Sequence, residues 1–145
     1  MKVLSDFDGV LTDIAEEAHR VREIFTETLI HASGWEAKRI HLLMDRALEH
    51  LQKTPHEHGW RTEGRIAAYA NEDSFLANIG LSHCLDALSL SENADFLKAV
   101  EALKAKNISS FNQVSLNAYQ TMTIETKMGK RKPIDAEAVK FLKQL

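Results

Sequence analysis

Three acids crowd the amino end of the chain, in Met1-Lys2-Val3-Leu4-Ser5-Asp6-Phe7-Asp8-Gly9-Val10-Leu11-Thr12-Asp13. In an extended segment, residues two apart point to the same side, so Asp6 and Asp8 can address one site while Phe7 turns the other way. Gly9 lets the chain turn immediately afterwards. Two carboxylates this close repel each other unless a cation sits between or beside them, and a hard, oxygen-seeking ion such as Mg²⁺ suits them. A bland reading stands beside this one: Asp6 and Asp8 cap a turn, and Asp13 caps the helix that follows.

The passage resembles the first motif of the haloacid dehalogenase superfamily, Asp-x-Asp-Gly-x-x-x-Asp at the end of the first strand, matched here at Asp6, Asp8, Gly9, Thr12 and Asp13. That resemblance implies an α/β fold with a Rossmann-like core and a helical cap. It implies Asp6 as the nucleophile, giving an aspartyl-phosphate, and Asp8 as the acid that protonates the leaving oxygen and then activates water. Mg²⁺ would be held by Asp6 and Asp8, and the acid at Asp8 favours a phosphatase of a small phosphorylated metabolite.

The family's later motifs are a Ser or Thr ending a second strand, a downstream Lys, and an acidic pair after a later strand. Ile108-Ser109-Ser110 has hydroxyls but no apolar strand ahead of it, and Lys127 and Lys130 have no such strand ahead of them either. Glu72-Asp73 comes before every candidate Lys, in the wrong order. The expectation is an N-terminal piece of a larger hydrolase: residues 1–13 as first core strand and catalytic loop, 14–110 as helical cap, and 111–145 as the return to the core before a second strand. Lacking half of the charged shell around the phosphoryl group, such a piece is expected to be a poor catalyst by itself. The competing expectation is a non-catalytic helical binding or regulatory module that keeps the acidic motif.

Other residues carry weaker chemistry. His50, His56 and His58 cluster around a loop with Pro55 and Gly59, yet no Cys or His spacing supplies the further ligand that a metal site needs. On a cap loop, His56, His58, Trp60 and Arg61 would face substrate, with Arg61 or Arg65 pairing an anionic group. The simpler reading is an exposed polar loop with Trp60 anchored in the cap. Lys127, Lys130, Arg131 and Lys132 read as a solvated basic turn. Cys84 reads as a small buried apolar residue, and Trp35 and Phe75 as core anchors.

The elements that must position these groups are mainly helical. Lys2 to Ser5 reads as a short strand. Ile14, Ala18, Val21, Phe25 and Leu29 recur at helical steps, with Asp13 as N-cap and Gly34 as the stop. A second helix is predicted over about Glu36 to Lys53, a loop over Thr54 to Gly64, and a third helical stretch near Arg65 to Leu76. Ser89-Leu90-Ser91-Glu92 has capping-box spacing ahead of Phe96, Val100 and Leu103. Gln113 to Met128 fits a helix or, around Thr121 to Ile124, a strand, and a last helix follows Pro133.

Composition excludes several classes. The chain has 145 residues, 44% apolar and 27% charged, which permits an independent core and argues against wholesale disorder. A formal charge of −3 disfavours electrostatic binding of nucleic acid. A single cysteine rules out an internal disulfide framework and suits a reducing compartment. No apolar run resembles a secretory leader or a membrane span, so a cytoplasmic protein with no membrane partner is expected.

Overall fold

The computed structural model describes residues 13–90 and 94–127, with 137, 140 and 144 as isolated positions. It is mainly helical with one small two-stranded antiparallel sheet. The expected strand at Lys2 to Ser5, the pair Asp6 and Asp8, and the helix after Pro133 lie outside the described residues, as do Ser91 and Glu92.

Helix α1 spans Ile14–Ser33. The Asp13 carboxylate accepts from the amides of Ala15 at 2.9 Å and Glu16 at 3.1 Å, satisfying two of the donors that a helix start leaves open. Gly34 closes the helix in the left-handed region, φ 68°, with its N–H on the Ile30 carbonyl. Helix α2 covers Ala37–Lys53 and buries Ile40, Leu43, Met44, Ala47 and Leu51 on one stripe.

The segment that follows departs from the sequence expectation. A single 3₁₀ turn, Pro55–Glu57, leads into strands β1, Gly59–Thr62, and β2, Arg65–Tyr69. Thr62 pairs with Arg65, and the two residues between them both take positive φ: Glu63 at 51° and Gly64 at 79°. Positive φ at both central positions is the geometry whose twist matches a two-residue hairpin. Residues Arg65 to Tyr69 are therefore a strand and not the start of the third helix, and Ala67 is left as a bulge between the pairs Trp60–Ala68 and Arg61–Ile66.

Helix α3, Ser74–Ser89, starts later than expected, where the Asp73 carboxylate accepts from the Leu76 amide at 2.8 Å. Between Ser74 and Leu85 it carries no acid, Lys or Arg, and it packs against α1, α2, the hairpin and the two remaining helices. A helix without a polar face is one that neighbours surround. Those neighbours include α4, Ala94–Lys104, and α5, Phe111–Lys127.

The ambiguity over Gln113 to Met128 resolves as helix for the described residues, which end at Lys127. The Asp86 side chain on α3 accepts from the amides of Phe111 at 2.7 Å and Asn112 at 3.0 Å, so the N-terminus of α5 is capped from a distant element. Phe111, Val114, Ala118 and Met122 then join Val21, Phe25, Leu43, Leu81, Phe96 and Leu103 in one core. Packing continues across residue 110 without a break. No helix among the described residues is long and apolar enough to cross a membrane.

Candidate functional site

A groove of about 940 Å³ opens between α1, α3, α5 and β1. Three local devices position its walls. The Asp13 cap starts α1 so that Glu17, one turn on, reaches the groove although only 4% exposed. The Asp73 cap sets Phe75, Ile79 and His83 on one face of α3, at steps of four. The Asp86 cap does the same for Asn112, Ser115, Tyr119 and Met122 on α5. Strand β1 contributes Trp60 and Arg61.

The lining is largely apolar with fixed polar groups at intervals. Phe75 and Tyr119 pack ring to ring, centroids 5.3 Å apart, and the Tyr119 hydroxyl donates to the Phe75 carbonyl at 3.2 Å. Burial is the main cause that raises the Tyr119 phenol well above its ordinary value. Burial likewise lowers the Arg22 guanidinium, whose Nε donates to Asn78 Oδ1 at 2.9 Å, while Asn78 donates on to the Ala18 carbonyl at 2.7 Å. Burial also raises the Asp86 carboxyl, against the pull of the Phe111 and Asn112 amides.

At the groove mouth, Arg61 is held by donation from its two terminal nitrogens to the carbonyls of Gly64, at 3.2 Å, and Glu57, at 3.0 Å. His83 Nδ1 lies 3.0 Å from the Gly59 carbonyl. A carbonyl only accepts, so Nδ1 carries the proton there.

The residues singled out in the sequence divide sharply. Asp6 and Asp8, the expected nucleophile, acid and magnesium ligands, lie outside the described residues, as do Lys130, Arg131 and Lys132. The polar-loop reading of residues 54–64 gives way to the hairpin: Trp60 is 51% exposed and lines the groove, while His58 is 5% exposed. His56 is exposed beside Glu57, and Arg65 is exposed on β2. Trp35 is half-buried against the core with the Arg39 guanidinium 3.7 Å over its ring. Phe75 packs at the core margin as a groove wall.

Cys84 is fully buried, as expected of a small apolar residue, but it has company. Its Sγ and one ring nitrogen each of His50 and His58 lie within 4.8 Å of one another. The 33 residues between His50 and Cys84 hid this grouping from any spacing argument. His83 and Tyr119 were also missed as groove residues. Their signal was the four-residue recurrence along α3 and α5, which becomes visible only once both helices are placed. Comparison with known proteins returns no matching family, no matching curated protein and no matching solved structure.

Proposed function

We propose that this chain supplies the nucleophile loop and the helical cap of a phosphatase like those of the haloacid dehalogenase superfamily, acting on a small phosphorylated metabolite. One observation carries the structural half of this reading. The two ends of the helical body are tied together: Arg20, in the second turn of α1, donates to both carboxylate oxygens of Glu125, in the last turns of α5, at 3.0 and 2.9 Å. A cap inserted into a core domain must leave and re-enter that core at neighbouring points, and a body in which α1 and α5 meet at one end suits that demand. The remainder of the reading rests on the acidic motif at Asp6, Asp8, Gly9 and Asp13.

The chemistry follows from the two carboxylates. The Asp6 carboxylate attacks phosphorus while the ester P–O bond breaks, and Asp8 gives its proton to the departing oxygen. Asp8, now a carboxylate, takes a proton from water as that water attacks the aspartyl-phosphate, releasing inorganic phosphate and restoring Asp6. The donors, the Asp6 carboxylate and the Asp8 backbone carbonyl, are hard oxygens that would suit Mg²⁺. When bound, that ion supplies neutralisation of charge between two anions.

In the groove, Arg61 offers a fixed cation to an anionic substrate group, and Trp60 a flat apolar surface beside it. The test is Mg²⁺-dependent hydrolysis of a generic phosphate ester by the complete gene product, with Asp6→Asn as the decisive variant.

The groove's apolar lining favours a second reading, a helical module that binds an apolar ligand without turnover. Ligand binding that survives Asp6→Asn, with no phosphatase activity in the complete product, selects it.

A further inference from the structure

We infer that His50, His58 and Cys84 form a binding site for a borderline-soft transition-metal ion, Zn²⁺ first among them, separate from the Asp6–Asp8 pair. Three elements converge to make it. His50 lies in the last turn of α2, His58 sits between the 3₁₀ turn and β1, and Cys84 lies in the second half of α3. Their candidate ligand atoms fall within 4.8 Å of one another. Zinc–nitrogen and zinc–sulfur bonds of about 2.0–2.3 Å place neighbouring ligands roughly 3.3–3.8 Å apart, so small side-chain rotations close the set.

A second feature points to a ligand independently of this clustering. His58 is 5% exposed, and its Nε2 is sealed from solvent with no hydrogen-bond partner. Leaving a buried polar nitrogen unpaired costs about 1–3 kcal/mol, a cost that packing alone does not require at this position. The His50 and His58 rings meet edge to face with centroids 5.9 Å apart, an arrangement that brings two imidazoles together without joining them. Cys84 Sγ has a long contact, 3.4 Å, to the Ala47 carbonyl and a second backbone interaction at Leu51, weak bonds that a metal ion would replace.

The donor chemistry selects the ion. Two imidazoles and a thiolate suit zinc or copper and are poor ligands for Mg²⁺ or Ca²⁺. Three protein ligands leave a fourth position for water or a further ligand, and of the three His50 is the least buried. Binding replaces the S–H bond of Cys84 with an S–metal bond, and the displaced proton passes to buffer. The ion would staple α2, the hairpin and α3 behind the groove wall formed by Arg61 and His83.

The probes are Zn²⁺ and Co²⁺ added to metal-free protein. The expected result is about one ion per chain, a thiolate-to-cobalt charge-transfer band, and a Zn²⁺-dependent rise in melting temperature. Cys84→Ser should abolish the band and weaken Zn²⁺ by more than about tenfold, since it deletes a primary ligand. His56→Ala, on the exposed neighbour, should change affinity less than about twofold. Because Cys84→Ser or His58→Ala can unfold the protein, the wild type carries its own test. Zn²⁺ should slow alkylation of its single thiol, measured in the folded protein. The inference is overturned if no stoichiometric ion binds, if the cobalt spectrum lacks the sulfur band, or if alkylation is indifferent to Zn²⁺. Any of these would leave His50, His58 and Cys84 as a packed cluster that holds no ion.

Discussion

Tyr119 shows how much a single buried polar group can report. Its hydroxyl donates to the Phe75 carbonyl, and burial holds its ionisation above the ordinary range near 10. A group whose pKa is raised by folding adds stability that is intact below its unfolded value and is lost as pH climbs through the folded one. Stability should therefore decline above about pH 10. The Cys84 thiol, pushed up to about 11 by burial, adds to the same decline and starts it earlier. Tyr119→Phe is expected to cost about 0.5–1.5 kcal/mol at about pH 8 and to flatten part of the alkaline slope. Urea midpoints of both proteins across that range check it; parallel slopes would mean that the phenol ionises as freely folded as unfolded. Cys84 itself was legible as a buried small residue, but its pairing with His50 and His58 was not, because tertiary packing and not spacing brings them together.

Among the elements, the hairpin and α5 depend on contacts that local sequence conceals. Gly80 on α3 stands where a side-chain carbon would collide with the Ala70 side chain just past β2. Gly80→Ala should lever the hairpin off α3 and cost about 1–3 kcal/mol. Loss of the groove's β1 wall would show as increased exposure of His58 to hydrogen–deuterium exchange in its vicinity, and unchanged exchange would contradict the account. Asp86→Ala removes the acceptor for two amides of α5 and should cost about 1–2 kcal/mol in denaturant unfolding. The contrast with α1 explains what the sequence could reveal. Asp13 and Gly34 are local caps adjoining a clean apolar stripe, and both ends of α1 were readable. The cap on α5 comes from 25 residues upstream, so no window over Gln113 to Met128 contained it. The hairpin was missed because its turn is Glu63-Gly64, with a glutamate at positive φ, a position more usually given to Asn or Asp. Burial along β2 alternates, but its residues Ile66-Ala67-Ala68-Tyr69 are an unbroken apolar run, so the sequence lacks the alternation that marks a half-buried strand.

For the molecule as a whole, the account turns on whether a helical body joined at its two ends serves an acidic loop that carries chemistry. The join itself can be weighed. Arg20 and Glu125 are partly shielded, with side chains 30% and 22% exposed, and their contact is bidentate. A double-mutant cycle with Arg20→Gln and Glu125→Gln should return a coupling of up to about 1 kcal/mol that shrinks in high salt. A coupling near zero would leave the ends of α1 and α5 without a fixed relation. Apolar periodicity and the motif pointed to the mainly helical body and the candidate carboxylates, whereas the groove, the joined ends and the His–Cys cluster needed the described helices and the hairpin in place. The most direct measurement is phosphate release from a generic ester by the complete gene product, with and without Mg²⁺, for wild type and Asp6→Asn. The account predicts Mg²⁺-dependent turnover that Asp6→Asn abolishes; equal activity in the two proteins would remove Asp6 from the mechanism and contradict the phosphatase reading.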